Sequence, residues 1–254
     1  AAKLTGRKLV IHEQNAVPGF TNKLLAKIAN QVFEAFPNTF SQSKKVIHTG
    51  NPMRKEIAQL AQRTRSLKEA SRPLQILVLG GSQGALAINK VVPELLANWP
   101  EENRPSTRHQ TGDSTLERTQ QAYRDRGLVL SKRIDVLPFI SDMAQAYVWA
   151  DLVICRSGAS TVSEIAAAGL PSILVPYPHH SDHQQKHNAN WLVQAGAALL
   201  LEQKDLTVPA LKALLLDLDK NRGKLQQMSD RAKSIAICDA DEIIARRCLE
   251  LIHA

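Results

Sequence analysis

The amino-acid sequence predicts an α/β protein in which helical crossovers join parallel strands. Short apolar runs that suit buried strands alternate with helical patterns along all 254 residues, and this alternation is typical of a parallel sheet. Two of the predicted strand-to-helix joints carry glycine-containing turns, at residues 80–85 and 156–158. Open sheets of this class bind ligands at the carboxyl ends of their strands, so both turns are candidate ligand sites.

The order of elements follows from the apolar runs. A first strand is predicted at residues 9–11, within a stretch of about three strands and one helix that ends near residue 50. The clearest strand, residues 74–79, leads through the first glycine turn into a helix over residues 85–98. Further strands are predicted at 106–110, 127–130, 133–137, 151–155, 172–175 and 197–201, a polar helix at about 114–126, and only helices from residue 207 onward.

A domain boundary is predicted near Gly50-Asn51-Pro52, because proline fixes its own φ and restricts the residue before it. The stretch before this boundary is too short for a core of its own, so we expect residues 1–50 to be the end of a domain whose beginning is absent. The expected organisation is residues 1–50, then a main domain at 51–235, then a C-terminal helix at 236–254 that packs back on the first part.

Composition and charge exclude several functional classes. Three cysteines without Cys-x-x-Cys spacing support neither a disulfide framework nor a structural zinc site. The net charge of +8 favours anionic partners such as phosphates or an anionic membrane surface. Aromatic residues make up only 4% of the chain, too few for the stacking that single-strand nucleic-acid binding requires, so no nucleic-acid partner is expected. No apolar run approaches the roughly 20 residues of a membrane-spanning helix.

The turn Gly80-Gly81-Ser82-Gln83-Gly84-Ala85 is a candidate phosphate loop. Glycines allow a close approach of the backbone, and the N-terminus of the following helix offers free amides and the positive end of its dipole. The turn has neither the Gly-x-Gly-x-x-Gly spacing of nicotinamide sites nor the lysine of a nucleotidase loop. A tight turn without a ligand is the alternative.

A second candidate turn, residues 156–158, follows the strand predicted at 151–155. A helix that begins near Ala159 would place its N-terminus at the same sheet edge as the first turn, and Ser157 is expected to cap that helix. Glu164 would lie one turn further along. A carboxylate suits ribose hydroxyls better than a diphosphate, which it can face only if another group separates the two charges. The alternative is that Glu164 merely interacts with the helix dipole.

The segment 179–187 is rich in polar residues and follows a predicted strand. His183 and His187 have the i, i+4 spacing of a shared metal site, but no third ligand accompanies them, so solvated loop histidines are favoured. Gln184 and Gln185 lie where another helix is expected to start. Their side-chain amides can bind sugar hydroxyls there without a metal.

Two further motifs imitate metal sites. His12-Glu13 begins like a zinc-protease signature, but Ala16 stands where the second histidine is required. Asp217 and Asp219 imitate the Asp-x-Asp that holds manganese in some transferases. They lie inside a predicted helical run and are expected on its solvated face. The sequence therefore predicts no metal site.

Nine short sequence motifs, in order along essentially the whole chain, resemble the motifs of one enzyme family. The chain is similar to the N-acetylglucosaminyltransferases that convert lipid I to lipid II in peptidoglycan synthesis. The motifs are IHEQNAVPG at 11–19, TNK at 21–23, GNPMR at 50–54, GGSQGA at 80–85, HQTG at 109–112, FISDM at 139–143, CRSGA at 155–159, TVSEIAAAGLP at 161–171 and QQ at 184–185.

This resemblance implies a GT-B fold, in which two doubly wound, Rossmann-like domains face each other across a cleft and the C-terminal one holds UDP-N-acetylglucosamine. Residues 1–50 would be a remnant of the N-terminal domain. Residue by residue, the resemblance places Arg54 and Ser82 at the diphosphate, the main chain of Ile140 at the uracil, Thr161 at the phosphates, Glu164 at the ribose, Gln184 and Gln185 at the sugar hydroxyls, and Glu13 and Asn15 on the acceptor side.

The reaction implied is an inverting, metal-independent transfer of N-acetylglucosamine to the muramyl 4-hydroxyl of lipid I, without a cofactor. The family's N-terminal domain opens with a glycine-rich loop and a histidine proposed as the base. Neither occurs in this sequence, so the chain alone is expected to be inactive. The lipid-linked acceptor implies a peripheral protein at the cytoplasmic face of the bacterial inner membrane. The alternatives are a nucleotide-sugar-binding module without catalysis and a UDP-N-acetylglucosamine epimerase.

Overall fold

The computed structural model describes residues 5–67, 72–81, 85–179 and 182–253. Within these residues the strands form two separate parallel sheets. The first sheet has the order β1-β2-β3 and consists of β1 (Val10–Glu13), β2 (Gln31–Glu34) and β3 (Val46–His48), with α1 (Phe20–Ile28) between the first two strands. Three strands and one helix before residue 50 confirm the prediction for this part of the chain.

The second sheet has six strands. They are β4 (Gln75–Leu79), β5 (Ser106–Gln110), β6 (Ile134–Leu137), β7 (Leu152–Cys155), β8 (Ser172–Leu174) and β9 (Ala198–Leu200). Their spatial order is β6-β5-β4-β7-β8-β9, and every pair is parallel. The chain therefore builds outward from β4 in one direction, returns, and builds outward from β7 in the other. This is the doubly wound order, whose direction reverses between β4 and β7.

Helices cover both faces of the six-stranded sheet. They are α2 (Lys55–Ala58), α3 (Leu86–Ala97), α4 (Leu116–Arg124), α5 (Met143–Trp149), α6 (Ala159–Ala168), α7 (Gln184–Gln194), α8 (Val208–Lys220) and α9 (Arg222–Ser234). A last helix, α10 (Ala240–His253), follows them in the chain. In β4, Ile76 and Val78 pack in a core with α3 and α8, whereas Leu77 and Leu79 pack in a second core with α5 and α6. Burial on both faces explains why β4 is an uninterrupted apolar run.

One predicted strand is wrong. Residues 127–130 follow the C-terminus of α4 instead, and Gly127 has a φ of +72°. Leu128 N–H donates to Tyr123 O at 3.1 Å and Gly127 N–H donates to Arg124 O at 2.9 Å. These two bonds form a Schellman cap. Leu128, one of the apolar residues that suggested a strand, is therefore a buried residue of the cap of α4.

The two sheets are joined by packing and by hydrogen bonds. Phe36, which follows β2, is 1% exposed and meets the edge of Trp191 in α7 with ring centroids 5.3 Å apart. Asn51 donates to Gln14 O at 3.0 Å and to Ser163 Oγ at 3.2 Å. Among the described residues, no helix has the length and apolar character needed to cross a bilayer.

Candidate functional site

The two predicted turns lie side by side at one edge of the six-stranded sheet. β4 and β7 are adjacent parallel strands whose last residues, Leu79 and Cys155, are partners in the register. Neighbouring strands are about 4.8 Å apart, so the turns that follow them start in contact range. The prediction that both turns meet at one edge is confirmed. This edge is also the point where the strand order reverses, which is where doubly wound sheets bind ligands.

The turn after β4 requires glycine at two positions. A Cβ on Gly80 would lie 3.0 Å from Gln110 O and 3.1 Å from Ala85 N, which is too close for an ordinary contact. Gly81 has a φ of +72°, in the left-handed region that favours glycine. Helix α3 begins directly after Ala85. Ser82, predicted at the diphosphate, lies outside the described residues.

Gln110, at the end of β5, holds this turn in place. Its amide pairs with both main-chain groups of Gly81: Gly81 N–H donates to Oε1 and Nε2 donates to Gly81 O, each at 3.1 Å. Nε2 also donates to Pro138 O at 3.0 Å. Gln110 thus connects the glycine turn to the segment that carries Ile140. Sequence reasoning missed this function; its only signal was a polar residue at the carboxyl end of a predicted strand.

Ile140 is nearly buried, at 9% exposure. Among the described residues, no hydrogen bond engages its main-chain N–H or C=O. Both groups are therefore available to a ligand at the sheet edge. A base with one donor and one acceptor on the same edge can pair with such a main-chain unit.

Helix α6 begins at Ala159 as predicted, but Ser157 does not cap it. The N-cap residue is Gly158, without a side-chain hydrogen bond. Ser157 is buried, and its hydroxyl donates instead to Gln185 O at 2.7 Å. This bond brings the start of α7 to the start of α6. Thr161 lies in the first turn of α6, with Oγ1 3.8 Å from the position of a Cβ on Gly158, so its hydroxyl faces the same helix start.

Glu164 lies in α6 between two partners. Tyr147 donates its hydroxyl to Glu164 Oε2 at 2.8 Å, and Arg54 Nη2 lies 3.5 Å from Oε1. The Arg54 side chain is half exposed and that of Glu164 is 17% exposed. Arg54 therefore places a positive charge next to the carboxylate of Glu164. The structure brings these two predicted residues together.

Tyr147 is almost fully buried, at 1% exposure. Burial, then the negative charge of Glu164 and the hydrogen bond to it, raise the pKa of Tyr147 well above its usual range. Its hydroxyl therefore remains a donor at any physiological pH. This contact was not predicted, because Tyr147 lies in a different helix and has no motif of its own.

Helix α7 begins at Gln184, as predicted. Gln184 Nε2 donates to Asp182 Oδ2 at 2.6 Å, and Gln185 Oε1 accepts from Tyr177 N–H at 2.9 Å. In the described part of the chain this leaves Oε1 of Gln184 and Nε2 of Gln185 without a partner. One acceptor and one donor of this pair therefore remain for a ligand.

Glu13 organises the loop after β1. It is 4% exposed, and its carboxylate accepts from Asn15 N–H at 3.0 Å, Gly19 N–H at 3.0 Å and Asn22 Nδ2 at 2.9 Å. With these donors satisfied, the Glu13 carboxylate shapes the loop that presents Asn15.

Asn188, in α7, connects that loop to the turn after β7 by hydrogen bonds. Its Oδ1 accepts from Ala16 N–H at 2.8 Å, and its Nδ2 donates to Asn15 Oδ1 at 3.1 Å and to Ser157 O at 3.2 Å. Asn188 is fully buried. The side chain of Asn188 therefore bridges Asn15, the predicted acceptor-side residue, and the turn after β7.

The acidic pair in α8 lies on the surface. Asp217 bonds to Lys224 at 2.6 Å and Asp219 bonds to Arg222 at 2.5 Å. The hydrogen bond from Lys224, followed by the one from Asn221, lowers the pKa of Asp217. Among the residues that the structure describes, no group of three or more His, Cys, Asp or Glu side chains is arranged to hold a metal ion.

Comparison with known proteins agrees with this geometry. The sequence profile of the glycosyltransferase family 28 C-terminal domain matches residues 75–243, and the profile of the family's N-terminal domain matches residues 1–34. The first match spans the six-stranded sheet, both turns and α3 to α9. The second spans the part of the chain that contains Glu13 and Asn15.

Individual relatives match over nearly all of the chain. The UDP-N-acetylglucosamine--N-acetylmuramyl-(pentapeptide) pyrophosphoryl-undecaprenol N-acetylglucosamine transferase of Pseudomonas paraeruginosa (strain PA7) is 49% identical over 99% of this chain and 69% of that protein. The enzyme of the same name from Shewanella sp. (strain ANA-3) is 48% identical over 99% and 68%. The crystal structure of Acinetobacter baumannii MurG aligns with a TM-score of 0.82 and 41% identity over 98% of this chain and 69% of that one. The chain is therefore a GT-B-fold member of glycosyltransferase family 28.

Proposed function

We propose that this chain binds UDP-N-acetylglucosamine at the edge between β4 and β7, and that it acts in the transfer of N-acetylglucosamine to lipid I, which forms lipid II. The observation that carries the proposal is the parallel pairing of β4 with β7, which places two helix starts at one point. The printed names of the relatives in Pseudomonas and Shewanella, almost half identical to this chain, support the donor and the acceptor.

The diphosphate would lie between the two turns. Helix N-termini offer unpaired amides and a partial positive charge, which suits an anion. In this assignment the main chain of both turns, Ser82 and Thr161 bind the phosphates, and Arg54 adds the full positive charge. Its distance of 3.5 Å from Glu164 is long enough that a diphosphate can compete for the guanidinium.

The remaining parts of the donor follow from the same placement. The unpaired main chain of Ile140 would read the uracil edge, and Glu164 would accept hydrogen bonds from the ribose. The free atoms of Gln184 and Gln185, one acceptor and one donor, would bind sugar hydroxyls. Each of these residues lies at the carboxyl edge of the six-stranded sheet or in the first turns of a helix that starts there.

The acceptor would approach from the first sheet. We assign residues 1–50, including Glu13 and Asn15, to the acceptor side, residues 51–235 to donor binding, and residues 236–254 to a segment that packs back on the first part. The last assignment is supported by Ile237, whose Cβ would lie 2.8 Å from a Cβ on Gly50. A lipid-linked acceptor and a net charge of +8 fit a peripheral protein at the cytoplasmic face of the bacterial inner membrane.

The proposed chemistry is a single inverting displacement. The muramyl 4-hydroxyl attacks the anomeric carbon as its bond to UDP breaks, a base takes the proton, and negative charge develops on the departing diphosphate. Fixed amides and Arg54 can stabilise that charge without a divalent metal. Glu13 and Glu164 are already engaged by donors, so we assign the base to neither of them.

The test combines binding with turnover. UDP titrated by calorimetry into this chain is expected to bind equally well with Mg²⁺ and with EDTA. With the family's complete N-terminal domain also present, a lipid I analogue is expected to release UDP from the donor with a change of anomeric configuration. An absolute metal requirement would contradict the metal-independent part. Binding without UDP release, even with that N-terminal domain present, would favour the alternative, a nucleotide-sugar-binding module, over a transferase.

A further inference from the structure

Tyr147 is a buried residue whose hydroxyl has one partner in the described part of the chain, the carboxylate of Glu164. The ring lies in the core between α5 and α6, together with Val162 and Ile165. A phenylalanine would fill the same space. The hydroxyl is therefore not needed to fill the core, and its position needs another explanation.

The two carboxylate oxygens of Glu164 have different partners. Oε2 faces inward and accepts from Tyr147 at 2.8 Å, whereas Oε1 faces Arg54 and the sheet edge. Because burial keeps the Tyr147 hydroxyl protonated, this bond has one direction, from phenol to carboxylate. A charge-assisted hydrogen bond of this length is a strong one, and it restricts the rotation of the carboxylate that accepts it.

We propose that Tyr147 is a positioning residue for nucleoside recognition: it holds Oε2 of Glu164 so that Oε1 is presented to the ribose hydroxyls of the donor. The inference rests on the proposed ribose contact of Glu164 and goes beyond it, because it names what orients that carboxylate. A glutamate side chain has three rotatable bonds and loses considerable freedom when it is fixed. Tyr147 fixes Glu164 before the nucleotide arrives, so that less freedom is lost on binding.

The chain offers a matched control. Tyr123, in α4, is equally buried, and its hydroxyl also has a buried side-chain partner, His109 Nδ1 at 2.9 Å. It packs in the core on the opposite face of the sheet from Tyr147. Tyr123→Phe therefore removes a buried hydroxyl of the same kind without touching Glu164.

The experiment compares UDP with 2′,3′-dideoxy-UDP, which lacks both ribose hydroxyls, in the 254-residue chain and in Tyr147→Phe, Tyr123→Phe and Glu164→Gln. The wild type is expected to prefer UDP by roughly tenfold or more, the size expected for hydrogen bonds to a charged group. Tyr147→Phe should weaken UDP binding by roughly fivefold and leave the dideoxy compound within about twofold. Tyr123→Phe should leave both affinities within about twofold of wild type.

Three outcomes would overturn the inference. If Glu164→Gln abolishes the preference for UDP and Tyr147→Phe preserves it, Tyr147 does not position the carboxylate. If Tyr147→Phe weakens both nucleotides equally, with a matching loss of thermal stability, its role is in packing alone. If the wild type has no preference and Glu164→Gln changes nothing, the ribose assignment itself is wrong, which separates failure of the proposed function from failure of this inference.

Discussion

The two turns at the donor edge are fixed in different ways. The turn after β4 is held from within its own sheet: the amide of Gln110 pairs with the main chain of Gly81. The turn after β7 is held from outside, because Ser157 bonds to the start of α7 and Asn188 bonds to Ser157 and to the loop after β1. The described part of the first turn is thus held by a residue of the six-stranded sheet, whereas the second turn depends on how both sheets are joined.

The two turns therefore differ in how strongly a structural change in the first sheet is expected to affect them. A change in the first sheet can reach the turn after β7 through Asn188. Within the described residues, it has no comparable hydrogen-bonded route to Gln110. In the proposed reaction the first sheet carries the acceptor side. Coupling between acceptor and donor is therefore expected at the turn after β7.

The largest expected effect is that of Asn188→Ala. It leaves Ala16 N–H, Asn15 Oδ1 and Ser157 O without their buried partner. One buried unsatisfied polar group costs about 1–3 kcal/mol, so we expect a loss of about 3 kcal/mol in the free energy of unfolding. Chemical denaturation measures it.

The control for this variant is Asn190→Ala, in the same helix, because Asn190 is half-buried and has no side-chain hydrogen bond among the described residues. Its effect should stay within about 0.5 kcal/mol. Equal losses for the two variants would show that Asn188 does not join the sheets.

Acid is expected to lower the stability of the fold through His109 in β5. His109 is fully buried next to Gln110, between Tyr123 and Asn89 at 2.9 and 3.0 Å. Burial lowers its pKa from 6.5 to about 3. The unfolded chain thus binds a proton that the folded chain does not, so stability is full above pH 6.5 and falls as the pH drops toward 3, by about 1.4 kcal/mol per unit.

The measurement is the free energy of unfolding between pH 7.5 and 5, for the wild type and for His109→Gln. The variant is expected to be less stable throughout but to lose this part of the slope, about 2 kcal/mol over the range. Parallel curves for the two proteins would contradict the assignment of His109 as a buried neutral side chain.

A smaller effect than these two is expected for Gln110→Leu on UDP binding. Without the amide, the turn after β4 is no longer fixed to Pro138, and we expect roughly tenfold weaker UDP binding, equivalent to about 1.4 kcal/mol. Gln120→Leu is the matched control, because Gln120 Nε2 donates to Val136 O at 3.2 Å away from the turn. If calorimetry gave the same affinity for both variants, the turn after β4 would not depend on Gln110.

The sequence predicted the strands and both turns because they follow from local patterns. The apolar run of β4 and the positive φ of Gly81 are local properties of the chain. The requirement for glycine at residue 80 is not local, because the carbonyl of Gln110 lies close to it. The strand predicted at 127–130 was wrong because an apolar helix cap and a short strand can have the same pattern of residues in the sequence. The prediction that Ser157 caps α6 was wrong because its hydroxyl donates to the carbonyl of Gln185, 28 residues away, instead.

The supporting side chains could not be predicted, since their partners are remote. Asn188 and Asn15 are 173 residues apart, and Gln110 and Gly81 are 29 apart. Tyr147 and Glu164 lie in separate helices. Such contacts depend on the relative placement of elements, which propensity and periodicity do not specify.

The most direct test of the account is a crystal structure of the chain with UDP. The account predicts the diphosphate between β4 and β7, with phosphate oxygens within about 3.2 Å of main-chain amides from both turns and of the Arg54 guanidinium. A diphosphate bound by one turn only, or at another edge of the sheet, would contradict it.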